Sequence, residues 1–317
     1  MRSVFVWGVL LVGCGGSSSA PPAHAEATEA PARAASATAP AADVPWWKQA
    51  KPCPEGTALK GAEPPADKAL WCERPDGKKH GPFVEFHPDG KKARGFSFVG
   101  GVEQGRYVVF FPSGQQMEEG TYKNGKLDGR RVTWHPNGQK ASEGELRGGK
   151  ESGKQIRFND AGQKVEEAEY REGGIHGVAR KWHPSGELAE ETEYRGGVKH
   201  GQSRAFRENG KLEREGKYDQ DQRTGVWTFH REDGTKLEES ELVAGQREGK
   251  VTRWHPNGVK ELEGSFKAGK KEGTWSYFED EEGELVRVEE YKADRLIKKT
   301  IKKVVAPKGK KPAPKPK

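Results

Sequence analysis

The sequence predicts an all-β protein. The expected body is an elongated antiparallel meander of about nine 24-residue β-hairpins, with a disordered N-terminal tether and a disordered C-terminal tail. Three observations carry that expectation. A glycine falls every 24 residues without a gap, at Gly81, Gly105, Gly129, Gly153, Gly177, Gly201, Gly225, Gly249 and Gly273. A second glycine follows each of the first eight by nine residues, from Gly90 to Gly258, and slips by one in the ninth copy, to Gly283. Between these glycines lie two short runs rich in β-branched and aromatic residues, and no window places apolar residues at helical spacing. A fixed period of this length marks a repeat architecture.

The copy that starts at Gly129 shows what one repeat builds. Arg130 to His135 is a first extended run, Pro136-Asn137-Gly138 is turn chemistry, and Gln139 to Leu146 is a second run closed by Gly148-Gly149. Proline suits the second position of a type I turn, with the glycine in a left-handed bulge position. That bulged turn is preferred over a two-residue Asn-Gly turn because of its effect on two side-chain columns. One column is Phe86, Phe110, Trp134, Phe158, Trp182, Phe206, His230, Trp254 and Phe278. The other is Phe98, Tyr122, Leu146, Tyr170, Tyr194, Tyr218, Leu242, Phe266 and Tyr291. The bulged turn places both columns on one face, as a sheet with one buried face requires. Small residues, among them Gly120, Gly144, Ala168, Gly216, Ser240 and Gly264, then leave room for rings from neighbouring strands. The opposite face carries a row of glutamates from Glu119 to Glu263 and a partial second row, Glu145, Glu169, Glu193 and Glu241. Such a face reads as solvated cross-strand ion pairs, each contributing well under ~1 kcal/mol, or as an acidic strip for a cationic partner. At roughly 4.8 Å between strands, eighteen strands give a sheet about 85 Å long, each unit touching only its neighbours.

The flanks follow in chain order. Residues 1–14, MRSVFVWGVLLVGC, combine one arginine, a short apolar run and a small residue before Cys14, the pattern of an export signal. Its end resembles a bacterial lipobox, which implies that Cys14 carries lipid and becomes the mature N-terminus. An ordinary secretion signal and an uncleaved anchor are the alternatives. Residues 15–45 are an Ala/Pro/Ser-rich tether. Residues 46–80 form a distinct N-terminal cap. It holds Cys53 and Cys72, the two cysteines besides Cys14, and in an exported chain these suggest one disulfide. Trp46, Trp47 and Trp71 are expected to cover the open edge of the first hairpin. The array occupies 81–292. A Lys/Pro-rich disordered tail, 293–317, ends the chain, and 298–317 hold nine lysines and no acid. Removing those nine charges from the net +7 leaves −2, so the basic balance belongs to the tail. Such a tail attracts polyanions without reading sequence, or simply solubilises.

The array has a family resemblance. HG-x(5)-HPDG-K in the first copy, and G-x(4)-WHPNG-x(5)-G-x-L-x-x-G in the third, resemble the bacterial MORN-repeat variant found in proteins labelled YwqK-type antitoxins. The resemblance covers about two thirds of the chain and implies a meander of β-hairpins used for scaffolding or binding. Proline is lost from four turns, at Asp160, Glu208, Glu232 and Asp280.

No chemistry stands out. His87, His135, His183 and His255 precede the turn, and His80, His176 and His200 precede the first glycine. Equivalent positions lie two strands apart, roughly 10 Å, too far to share one metal ion. They are expected to pack on the proline and the turn. No carboxylate pair, nucleophile or phosphate cradle is legible. The expectation is a non-enzyme with no cofactor and no metal, anchored in the cell envelope, at the outer membrane, through Cys14. It binds a protein or envelope polymer, with no specific nucleic acid. The alternative is an antitoxin or immunity protein that sequesters a toxin; a third reading is an enzyme acting on wall polymer.

Overall fold

The computed structural model describes residues 45–302. The expected export signal with Cys14, the expected tether up to residue 44 and the last residues of the tail lie outside that range. Within it the chain forms one sheet of 23 antiparallel strands and a single three-residue 3-10 helix, Trp46–Lys48. Strands pair in sequence order throughout, so the sheet is an open meander. The nine expected hairpins are present, the third and fifth with a first strand interrupted at Asp128 and His176.

Two kinds of turn alternate. Inside each of the first eight hairpins the chain turns by the expected bulged type. In the third, the Gly138 amide donates to the His135 carbonyl and the His135 amide to the Gln139 carbonyl, with Gly138 at φ 86°. The turn survives loss of proline: Gly162, Gly210 and Gly234 make the same bond back to Asn159, Arg207 and Arg231. Between hairpins lies a two-residue turn with both residues at positive φ, such as Gly148 (56°) and Gly149 (87°). That is the type I′ geometry suited to the twist of paired strands.

The 24-residue glycine has its own reason. All nine first glycines sit at positive φ, between 66° and 114°. Each marks a bulge toward the preceding hairpin. Ser152 faces Glu145 while Ile156 faces Glu143, so the first strand holds two extra residues around Gly153.

A further bulge overturns one expectation. Thr133 faces Ser142, but Trp134 faces Lys140, which leaves Ala141 as an extra residue in the second strand. The same shift recurs in each of the nine hairpins. An extra residue reverses the alternation of side chains. The column of Trp134 and the column of Leu146 therefore lie on opposite faces, and the sheet has no single apolar side. The interior turn was identified from its residues; the second bulge, at a position held variously by Ala, Met, Val, Glu or Leu, has no residue signature.

The two faces differ nonetheless. The packed face carries the Tyr/Phe/Leu column, the small residues and the side chain two residues after each first glycine. Its core includes Tyr107, Leu146, Ala168, Trp227, Val251 and Trp275, all buried. The small residues leave room as expected: a Cβ on Gly216 would lie 2.3 Å from the Trp227 ring, and one on Gly264 2.3 Å from Trp275. The ladder face carries the Trp134 column, the Glu119–Glu263 row and the partial second row.

At the N-terminal end, Cys53 and Cys72 form the expected disulfide, with Cα atoms 5.6 Å apart. Of the three tryptophans only Trp71 lies at the edge, in a strand where it faces Phe83; Trp46 and Trp47 do not cover it. Strands Ala58–Gly61 and Ala69–Glu73 extend the sheet past the first hairpin, because backbone groups at an edge are best satisfied by another strand. Trp46 and Trp47 instead pack on the ladder face, against Leu70, Val84 and Phe86. At the other end the expected tail contributes a strand. Arg295–Ile301 pairs with Leu285–Lys292, matching Lys298 and Lys299 to Glu290 and Glu289.

Candidate binding surface

Among the described residues, the 3-10 helix is the one element laid over a face of the sheet. Both faces are otherwise open, so the candidate site is the surface itself.

The ladder face is built from one recurrent group. A lysine at the start of the second strand pairs with the glutamate three residues on: Lys140–Glu143 at 2.9 Å, Lys164–Glu167 at 2.7 Å, Lys236–Glu239 at 2.5 Å and Lys260–Glu263 at 2.8 Å. The same lysine lies over the ring of the next hairpin, Phe158, Trp182, Trp254 or Phe278, at 5.0–5.7 Å. First-strand cations close the ladder: Arg106–Glu119 at 2.8 Å, Arg130–Glu143 at 3.1 Å, Lys154–Glu167 at 2.8 Å and Arg180–Glu191 at 2.8 Å. Hydrogen bonds from Arg106 hold the Glu119 carboxyl below its usual range. At Glu143 and Glu167, burial pushes upward, but the bonds from the paired cations prevail and the net shift is downward. The strip is therefore acidic in composition and largely neutralised in place.

The second glutamate row has a more specific task. Glu193 Oε2 accepts from the Gln202 amide and Glu241 Oε2 from the Lys250 amide, both at 3.1 Å. These amides follow the first glycine, where the bulge breaks the ladder. The carboxylate replaces the lost partner. It comes so close that a Cβ on Gly201 would stand 1.9 Å from Glu193 Oε2.

The histidines do not merely pack on proline. His87, His135, His183 and His255 each donate from Nε2 to a backbone carbonyl of the next hairpin, those of Phe110, Phe158, Phe206 and Phe278, at 2.8–3.1 Å. Arg207 and Arg231 occupy the same position and reach the carbonyls of His230 and Trp254. His80 Nδ1 accepts from the Gly100 amide at 3.2 Å. Sequence reasoning placed these residues in register but missed the staple. The one available signal was that His and Arg, both long donors, share the position.

The packed face is filled. Tyr218 meets Trp227 at 5.1 Å and Arg223 covers the same ring at 4.5 Å. Lys271 lies over Trp275 at 4.2 Å. Carboxylates there are paired: buried Glu238 accepts from Arg247 at 2.5 Å and from Arg253 at 3.1 Å. Glu118 accepts from Arg131 at 2.7 Å and from the Tyr107 phenol. Burial, then the Glu118 carboxylate, push the Tyr107 phenol up, which keeps it a donor. Among the described residues no group of three or more His, Cys, Asp or Glu converges on a point where a metal ion would sit.

Depressions open mainly on the ladder face. One of about 610 Å³ is bordered by Val226, Val243, Glu241 and Glu248, and its two valines are more than half exposed. Another, of about 300 Å³, lies beside Trp46 and Trp47.

No curated protein matches the chain. Two solved structures align with 74% of it at 11% and 12% identity: "Crystal Structure of TcdB2-TccC3-Cdc42" and "Crystal Structure of TcdB2-TccC3 without hypervariable C-terminal region". The TM-scores are 0.18 and 0.19, and the chain spans 17% of the length of those chains. The family model for the MORN repeat variant matches residues 103–124, 175–195, 199–220 and 247–268. Each span coincides with one hairpin, the second, fifth, sixth and eighth. Four of the nine hairpins thus match the MORN repeat variant, and the other five share their 24-residue register, which supports reading the chain as a MORN-repeat protein.

Proposed function

We propose that the protein is a scaffold of the cell envelope, held there by lipid on Cys14, whose ladder face binds an extended partner. MORN repeats suggest a repeat-based binding or scaffolding role. The observation that favours the ladder face is its repetition. The same lysine, ring and carboxylate recur in four hairpins, and beyond the first hairpin nothing among the described residues covers them. A partner that is itself repetitive, a polymer or an extended chain, meets the same group again at each hairpin, so modest contacts add up. The packed face offers less, since its largest rings, Tyr107, Trp227 and Trp275, are themselves buried. A Lys-rich tail would add non-specific attraction to anionic envelope polymers.

The test has two arms. Cells expressing the native chain or Cys14→Ser are labelled with a radioactive fatty acid; label on the native chain alone supports the anchor, and no label sinks it. Membrane extracts are then passed over the native protein and over a variant with Glu143→Gln, Glu167→Gln and Glu263→Gln. Loss of the retained partner in the variant supports the ladder face. Retention equal to the native protein overturns it.

A further inference from the structure

We propose that the depression beside Trp46 and Trp47 is a binding site for a small amphipathic anion, a molecule with a flat apolar body and one carboxylate, sulfonate or phosphate. The site is independent of the envelope reading. It stands where the ladder changes character. In hairpins three, four, seven and eight the leading lysine is neutralised by a glutamate three residues on. In the first hairpin the lysine is Lys92, and three residues on stands Gly95, followed by Ser97 where later copies carry glutamates. Among the described residues Lys92 has no carboxylate partner. Its ammonium lies 5.1 Å from the centre of the Trp47 ring and lines a cavity of about 300 Å³.

The rest of the wall suits the other half of such a ligand. Trp46, Trp47, Val84 and Phe110 present apolar surface, and Trp46 and Trp47 meet edge to face at 5.6 Å. Arg106 borders the same cavity. It pairs with Glu119 yet its side chain remains 70% exposed, free to offer further donors. A largely apolar concavity with a few convergent polar groups is the usual form of a small-molecule site. Here the convergent groups are cations, and the carboxylate that silences the equivalent lysine elsewhere is replaced by glycine. A ligand's anion would take the place of that glutamate, while its flat body stacks on the tryptophans.

The glycine also supplies the test. A Cβ on Gly95 would meet nothing closer than the Phe83 carbonyl oxygen at 3.7 Å, and Gly95 is absent from the positive-φ residues. Gly95→Glu therefore installs the pairing of the other copies without strain. The full chain is titrated with anilinonaphthalene sulfonate and with its uncharged counterpart phenylnaphthylamine, following probe emission and energy transfer from tryptophan. The native chain should bind the sulfonate more tightly than the neutral probe. Gly95→Glu should weaken sulfonate binding by about tenfold or more, the usual worth of one charge-assisted contact, and leave the neutral probe in place. Lys92→Gln should do the same, and Lys260→Gln, on a lysine already paired, should change nothing. Thermal unfolding of each variant shows that the sheet is intact, and Lys92→Gln decides the matter if Gly95→Glu unfolds. Equal affinity for both probes, failure to bind either, or indifference to both first-hairpin variants overturns the proposal.

Discussion

At the scale of the residue, glycine and its neighbours decide where the backbone bends. Gly201 stands at φ 114° with Glu193 folded against it. Gly201→Ala should cost about 1–3 kcal/mol, read from chemical denaturation, because the methyl group displaces the carboxylate that caps the bulge. The inter-hairpin turns make the opposite prediction. Ala244 and Ala268 sit at φ 49° and 50°, in the left-handed region where a side chain is strained. Ala268→Gly should stabilise by about 0.5–1 kcal/mol, the strain relieved exceeding the entropy added to the unfolded chain. A drop in the melting temperature would show that the turn is not type I′. The glycines themselves were legible from spacing alone. The carboxylates that serve them were not, since a row of glutamates looks the same whether it meets water or an orphaned amide.

At the scale of the element, each hairpin is tied to the next by side chains as well as by strands. His183→Ala removes a donor to the Phe206 carbonyl and should cost about 1 kcal/mol or less, because water can reach that carbonyl in part. His183→Arg should recover most of it, since Arg207 and Arg231 make the equivalent bond one and two copies further along. Packing between hairpins is the stronger tie. Trp227 is 1% exposed, lies over Gly216 and donates from Nε1 to the Lys217 carbonyl at 3.0 Å. Trp227→Ala should cost about 3–5 kcal/mol. In an array whose units touch only neighbours, that loss should open the sixth and seventh hairpins first, visible as local amide exchange ahead of the rest.

At the scale of the whole sheet, stability is spread over many partly exposed ion pairs. The carboxyls of Glu118, Glu119, Glu143, Glu167, Glu190 and Glu289 all titrate below their ordinary value when folded. Their contribution is complete above the unfolded carboxylate value, about pH 4.3, and is lost as pH falls through the lower folded values. The protein should therefore lose stability steeply below about pH 4, and a melting temperature that stays flat as pH falls further, to about 2, would refute the pairing. At neutral pH, added salt should weaken the exposed ladder pairs and spare the Glu238 cluster, whose carboxylate is only 6% exposed. The N-terminal end is secured differently. Cys53→Ser opens a loop of about twenty residues and should cost about 3 kcal/mol, loosening the two cap strands and exposing the first edge.

Taken alone, the sequence determined the unit, its number and its interior turn, because each rests on local chemistry: a glycine where φ is positive, a proline or its substitute where φ is near −65°, and alternating side chains between. It also suggested the disulfide, since Cys53 and Cys72 are the two cysteines besides Cys14. The tertiary structure alone decided which side chains share a face. One extra residue in the second strand reverses every position beyond it, and at that point the chain shows Ala141, Met117 or Val165, residues with no preference for a bulge. It alone decided that the glutamates cap bulges, that the histidines staple hairpins, and that Lys92 faces the Trp47 ring without a carboxylate of its own to pair with. Those facts join residues on different strands, and a repeat read one copy at a time carries no trace of the copy next to it.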